Sequence, residues 1–404
     1  MHILLLSDKF HPEVAAPSIR GLEHAAAWVR AGHQVTVVTS APNHPRGRVF
    51  PGYRNAPWVE EWIEGVLVLR VWSFVAPNTG RVRRSLDYLS LAGSGTAWFW
   101  RYAPFDVILA TSPPLVTAMQ GWALARLRDR PWVFEVRDLW PASIPAVGVG
   151  MGTRTLAALE RFELGLYARA DAIVVVTEAF REDLVRRGVP DDKIHLVRNG
   201  VDCDRFAPRP KTSRAALGIA EDTFLVGYIG TMGMAHGLSN VLEAARRTPE
   251  ITWLLMGDGA EAADITARAA SLPNVVIRPP IPHADVPAVT ACLDVSLVHL
   301  RPSSVFETVI PSKIFESMAM GIPMLAAIQG EGAQLVLRAR AGRIVPPGDP
   351  DALAAGARAL RDDKRAYRAM AKAGPREARA HYDRSRTAAA LLDVLEATAR
   401  KGLR

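Results

Sequence analysis

The chain has 404 residues and a mass of 44.0 kDa, too long for one ordinary core and suited to two domains of roughly 150–200 residues. Hydrophobic residues at 49% against 22% charged exclude a disordered chain, and two cysteines, Cys203 and Cys292, exclude a disulfide scaffold and a cysteine-built zinc site. Forty-nine Lys and Arg against 41 Asp and Glu leave a net charge of +8, which favours an anionic partner: a phosphate-bearing ligand, an acidic membrane or nucleic acid.

Met1 and His2 lead straight into an apolar strand, so no signal peptide is expected. Residues 2–7 read as that strand, 17–31 as a helix stopped by Gly32, and 34–40 as a second β-branched strand. The strand–helix–strand order opens a parallel sheet. It recurs in strands 107–111, 132–136, 172–176 and 195–197, with helices at 115–127 and 155–168 between them. The uncharged stretch 107–125 is long enough to cross a bilayer, but Ser112-Pro113-Pro114 breaks it into strand, turn and helix, so no span is predicted.

Residues 203–213, with Pro208 and Pro210 among charges, have linker composition. Beyond them the same pattern restarts, with strands at 224–229, 252–256, 274–277, 295–300 and 324–327. Helices are expected at 238–246, 260–270, 286–291, 312–320 and 350–360. Two α/β halves, each doubly wound around a parallel sheet, follow, and ligands of such open sheets sit beyond the carboxyl ends of the strands. The domains are placed at 1–205 and 206–384, with helices at about 385–404 returning to the first.

Eleven Lys and Arg against four Asp and Glu from Lys364 onward carry most of the net charge. A second basic site, Arg81, Arg83 and Arg84, precedes an aromatic stretch that includes Trp98 and Trp100. This suits an anionic membrane surface, or equally a basic loop ahead of an ordinary core helix. No nucleic-acid recognition motif accompanies the basic charge, so no nucleic-acid partner is expected. The histidines show no metal-ligand spacing, and no metal is predicted.

Gly230-Thr231-Met232-Gly233 and Gly257-Asp258-Gly259 each follow a strand, yet neither is the spaced triplet of dinucleotide folds, and a tight turn explains Gly257 equally well. The segment 306–323 says more. Pro311-Ser312 reads as a helix start with Ser312 as its N-cap, and Gly321 closes the helix. Free amides there form an anion site, Lys313 adds positive charge, and Glu316, one turn in, suits vicinal ribose hydroxyls or simply complements the helix dipole.

The opening "SDKFHPEVAAPSIRGLEHAAAWVRAGHQVTVVT", with "VRNGVD", "LLMGDGAE" and "PSKIFESMAMGIPML", resembles glycosyltransferase family 4 over essentially the whole chain. "FEVRDLWPASI" further resembles a bacterial surface-polysaccharide branch containing O-antigen and capsule N-acetylfucosaminyltransferases. The resemblance implies a GT-B fold, two facing Rossmann-like domains with a cleft between them. It also implies a retaining, metal-independent transfer from a nucleotide-sugar, with UDP the expected nucleotide and no cofactor. The acceptor would be lipid-linked or a saccharide, at the inner face of the cytoplasmic membrane. Glu316 matches the second glutamate of the family's E-x7-E signature, whereas the first falls on Thr308, with Glu307 beside it. The Arg and Lys that relatives offer to the diphosphate are Thr231 and His236 here. Their work then falls to Lys313, to the amides around Gly230–Gly233 and to those of the helix at Ser312. The family's paired glycines appear as Ala15-Ala16, near Arg20. Arg137 and Asp138 stand where relatives carry a domain-one His, often followed by Asp. They suit phosphate binding and acceptor orientation, or a structural salt bridge. The altered clamp leaves a catalytically weak binding protein as an alternative, beside a nucleotide-sugar 2-epimerase.

Overall fold

The computed structural model describes residues 1–44, 46–77, 81–141 and 152–402, and for Arg81 the backbone alone. The chain divides into two compact units. One holds the chain before Asn199 together with its last helix, and the other is Asn199–Asp383.

The first unit is built on eight strands: β1 (His2–Leu6), β2 (Gln34–Ser40), β3 (Trp58–Ile63), β4 (Val66–Val71), β5 (Val107–Ser112), β6 (Trp132–Val136), β7 (Ala172–Val175) and β8 (Ile194–Leu196). Their order is β3-β4-β2-β1-β5-β6-β7-β8, parallel throughout except for β3. The near-continuous apolar runs of β1, β5, β6 and β7 follow from burial on both faces by helices. The sheet order reverses at β1 and β5, whose carboxyl ends form the switch point at which open sheets take ligands.

The hairpin β3–β4 is absent from the sequence reading above. Its signal is local: Glu64 and Gly65 between the strands both have positive φ, 52° and 77°, as a tight primed turn requires. The last helix, Arg384–Gly402, completes this unit. Its Leu391, Leu395 and Ala399 join the core of Ile3, Leu5, Leu109 and Val133, and Trp28 donates its indole N–H to the Ala388 carbonyl at 2.8 Å. Arg384 pairs with Glu23 at 2.6 Å. Amphipathic packing therefore carries much of the basic tail back onto residues nearly four hundred positions earlier in the chain.

The second unit has six strands, all parallel: β9 (Leu225–Ile229), β10 (Thr252–Met256), β11 (Val275–Arg278), β12 (Val295–His299), β13 (Met324–Ala327) and β14 (Gly342–Val345). Their order, β11-β10-β9-β12-β13-β14, places the switch point between β9 and β12. One strand and three α-helices of this unit, among the described residues, escape the sequence reading: β14 and the helices Ser304–Glu307, Gly330–Arg338 and Lys364–His381. The last of these contains Pro375, which argues against a helix in a linear reading. Both cysteines are buried and free. No described helix is long and apolar enough to cross a membrane.

Candidate functional sites

In the second unit, β9 is followed directly by Gly230, with φ +145°, and β10 by Gly257, with φ +153°. A Cβ on Gly257 would lie 1.8 Å from the Gly230 carbonyl oxygen, and one on Gly259 2.6 Å from that of Met232. Close approach of two strand-end loops therefore accounts for both glycines. It also uses amides that the sequence reading assigned to an anion. Gly230 donates to the Met256 carbonyl at 2.9 Å, and Met232 to that of Asp258 at 2.8 Å.

The helix Ser312–Met320 begins beside this turn. Its N-cap is Pro311, not Ser312 as the Pro-Ser pair suggests: Pro311 is extended, with φ −60° and ψ 134°, and Ser312 is already helical. Proline has no side-chain acceptor, so no side chain caps the first-turn amides. Gly321 closes the helix at φ +69°.

Lys313 reaches from the first turn over Gly230 to the face of Tyr228, with Nζ 3.2 Å from the ring centroid. The Tyr228 hydroxyl donates to the Thr231 carbonyl at 2.5 Å and anchors the loop after β9. Two histidines share this corner. His299, at the end of β12, donates Nδ1–H to the His236 carbonyl at 2.7 Å, and the His236 ring lies edge-on to Tyr228. Burial pulls both imidazoles down to about 4, with Lys313 adding to the effect, so both are neutral at pH 7. His236 therefore does not replace a permanent cation.

Glu316 lies on the same helix, a quarter exposed, with His283 at 3.9 Å. The two candidates for the missing first glutamate stand together at the end of the short helix Ser304–Glu307, Glu307 as its last residue and Thr308 as its C-cap. Glu307 is exposed, forms no ion pair among the described residues, and lines a small surface depression with Arg301, Phe306 and Gln329. The Thr308 hydroxyl donates back to the Val305 carbonyl at 2.8 Å.

In the first unit, Arg137 stands at the end of β6. Its amide donates to the Ser112 carbonyl at 3.1 Å and its Nε to the Thr111 hydroxyl at 2.6 Å, so β5 fixes both ends of the residue. Glu135, two residues earlier and on the same face, pairs with Arg20 at 2.6 Å and lies 3.8 Å from Arg137 Nε. Burial pulls Arg137 below its ordinary value, with Glu135 opposing. Arg20 is only 5% exposed. It is an interior partner of Glu135 and does not stand at a membrane-facing surface. Asp138 is half-buried, and its carbonyl accepts from the Trp140 amide at 3.0 Å.

Ala15 is extended, with φ −135° and ψ 149°, and Ala16 opens the helix Ala16–Arg30. That backbone is open to any L-residue, so alanine is accommodated there without strain. A residue missed in the sequence, Asp8, sits just beyond β1 and is 6% exposed. Burial raises its carboxyl to about 6, opposed by Lys9 and Arg137. Its position directly after a buried strand at a switch point was the available signal.

The basic–aromatic segment is largely one helix, Arg81–Ala97. Val82, Leu86 and Leu89 are exposed at helical spacing, followed by Trp100 at 62% exposure, and Arg83 and Arg84 are exposed beside them. Trp98 is half-buried against Trp58 and Trp100, with Arg101 over its ring. Among the described residues no group of three His, Cys, Asp or Glu is arranged to hold a metal ion.

Residues 18–200 match the family Glycosyl transferase 4-like domain, and residues 223–363 match Glycosyl transferases group 1. The D-inositol 3-phosphate glycosyltransferase of Xylanimonas cellulosilytica is 32% identical over 307 residues, 72% of each chain. WcaI of Escherichia coli, named as a glycosyl transferase of colanic acid biosynthesis, is 24% identical over 80% of this chain and 82% of its own. Among solved structures, Anabaena Alr3699/HepE in complex with UDP-glucose superposes with a TM-score of 0.73 at 18% identity, covering 98% of this chain and 100% of that one. That likeness establishes the GT-B fold for two parallel α/β units of this topology. With both domain families matched in order and a relative of this identity over most of its length, the chain belongs to the glycosyltransferases that join a glycosyl transferase 4-like domain to a group 1 domain.

Proposed function

We propose that the protein transfers a sugar, with retention of anomeric configuration, from a nucleoside diphosphate sugar to a hydroxyl of a lipid-linked or saccharide acceptor in bacterial surface-polysaccharide synthesis. The observation that carries the donor half is the uncapped helix start at Ser312, with Lys313 in its first turn and Glu316 on the following one, at the switch point of the second unit. UDP is the proposed nucleotide, consistent with the UDP-glucose bound by HepE, and the sugar is an N-acetylated hexosamine or a deoxyhexosamine. The colanic acid role in the name of WcaI supports the surface-polysaccharide setting.

Chemically, the difficulty is the negative charge that grows on the departing diphosphate. The helix-start amides and the Lys313 side chain meet it with dipoles and positive charge. Glu316 holds the ribose diol, and Arg137 with Asp138 binds and orients the acceptor. The departing phosphate oxygen takes the acceptor proton, so the proposal needs neither a covalent protein intermediate nor a metal. The exposed stripe of Val82, Leu86, Leu89 and Trp100 with Arg83 and Arg84 would rest on the anionic inner face of the cytoplasmic membrane.

The test is a thermal-shift panel of UDP, GDP, ADP, TDP and their sugars, followed by turnover. Stabilisation by one nucleotide that Glu316→Ala removes, with donor hydrolysis or transfer, is the expected result. Binding without either reaction selects the catalytically weak binding protein. Interconversion of the sugar at C2 selects the epimerase. A flat panel overturns the donor site.

A further inference from the structure

We propose that one face of the hairpin β3–β4 binds a neutral saccharide chain, with Trp62 as the ring on which a sugar stacks and Glu60 and Arg101 as the groups that hold its hydroxyls. The site lies in the first unit and does not depend on the donor corner around Lys313 and Glu316. Its origin is the strand period. Trp58, Glu60 and Trp62 alternate along β3 with Val59, Glu61 and Ile63, so the three share one face, with about 14 Å between the first and the last. On the other face Ile63 packs against the core of Ile3 and Val68, and Glu61 pairs with the buried Arg70. Trp62 is the most exposed tryptophan of the chain, at 72%.

The near end of this face is held rigid. Trp58 stacks on the buried Tyr102 with ring centroids 5.8 Å apart, and meets Trp98 edge-on at the same distance. Arg101 is bracketed by both indoles, its guanidinium carbon 4.7 Å from the centre of the Trp58 ring and 5.4 Å from that of Trp98. Trp58 donates its indole N–H to Glu60 Oε1 at 2.7 Å and so fixes the carboxylate along the face. Beyond these contacts the side chains of Glu60 and Arg101 have no hydrogen-bond or ion-pair partner among the described residues, and both are exposed.

An exposed indole beside a fixed carboxylate and a fixed guanidinium selects its occupant by chemistry. A pyranose offers an apolar C–H face to cover the indole and a rim of hydroxyls that donate to Glu60 and accept from Arg101. An anionic membrane or a nucleic acid is opposed by Glu60 and Glu64, both exposed on this hairpin. The helix Arg81–Ala97 shows the contrast: its exposed apolar residues stand beside Arg83 and Arg84, and its one acid, Asp87, is buried. Trp100, with its ring 5.6 Å from that of Trp98, joins the two surfaces, so the sugars of a lipid-anchored chain would run from the apolar stripe onto the hairpin. A glycosyltransferase meets such chains as acceptor or product, and a second foothold raises the effective concentration of the chain at the enzyme.

Calorimetric titration of the full chain with maltohexaose, cellohexaose, chitohexaose and laminarihexaose tests the site, in wild type and in Glu316→Ala. At least one hexaose should bind both proteins alike. Trp62→Ala should weaken that binding about tenfold and Trp62→Phe should recover most of it, with the melting temperature unchanged because the side chain is exposed. Glu60→Gln should weaken it as well. No binding by any of the four at millimolar concentration, or binding that both Trp62→Ala and Glu60→Gln leave unchanged, overturns the proposal. Vesicles test the rival occupant. Quenching of Trp62 fluorescence by brominated phosphatidylglycerol, taken as the difference from Trp62→Phe, would make the hairpin a membrane contact and overturn the proposal too. Failure of the nucleotide panel leaves these titrations untouched, and their failure leaves the donor reading as it was.

Discussion

The two units share a parallel strand order around their switch points and treat charge in opposite ways. At the switch point of the first, Arg20 and Arg137 share Glu135, so each has an acid partner within the folded protein before any ligand arrives. At the switch point of the second, Lys313 has an aromatic ring and two neutral imidazoles around it and no ion-pair partner among the described residues. A matched cluster is rigid and holds a side chain at a fixed place. An unmatched cation has its strongest interactions still to make. The difference suits an acceptor to be oriented in one unit and a diphosphate to be captured in the other.

The largest expected effect breaks the matched cluster. Glu135→Ala leaves two buried guanidiniums without their acid and should destabilise the first unit by about 3–5 kcal/mol, read by urea denaturation. Denaturation unchanged from wild type would show that Arg20 and Arg137 find other partners. Glu316→Ala comes next. Losing charge-assisted hydrogen bonds to a ribose diol, about 1.5–3 kcal/mol each, should lower donor-dependent turnover roughly 100-fold or more without changing the fold. Unaltered turnover would reduce Glu316 to a helix-dipole residue.

Arg137→Lys keeps the charge but not the planar fork that spans Thr111 and Glu135. Acceptor-dependent transfer should fall about tenfold or more, about 1.4 kcal/mol, while nucleotide-induced stabilisation stays as in wild type. A fall in both would place Arg137 on the donor instead. For Lys313 the free protein offers a separate readout. Its folded value of about 7 lies below the unfolded 10.5, so between these limits the unfolded state holds more protons and stability rises with pH. Melting temperature should therefore climb from pH 7 to pH 9, and Lys313→Met should flatten the climb. The last effect is at the surface and touches vesicle binding alone. Arg83→Glu with Arg84→Glu should weaken sedimentation with phosphatidylglycerol vesicles by about 1 kcal/mol per arginine or more, and not with neutral ones.

The reading of single residues shows where linear information runs out. β2, β6, β10 and β13 have the bounds expected of them, and the helix Ser312–Met320 does too, because apolar β-branched runs and Gly321 act locally. The hairpin β3–β4 was also written locally, in alternating residues around Glu64-Gly65, and was overlooked. Lys364–His381 was concealed by Pro375, whose cost to a helix is outweighed by packing of the same helix against Met318 and its neighbours.

Lys313 and Glu316 were legible as a pair because a helix start carries its own sequence signal. The interior position of Arg20 was not, since Glu135 is a neighbour only after β6 is placed in the sheet. Asp8 was passed over for the same reason. By itself, then, the sequence determined the repeated α/β pattern, the anion-ready helix start and the family, all of which rest on short-range preferences and local motifs. The tertiary structure alone decided which charges are matched, which glycines serve packing, and which amine lies on a ring without an acid. Those are properties of groups far apart in the chain, and solvation and Coulomb interactions act on them only once folding has brought them together.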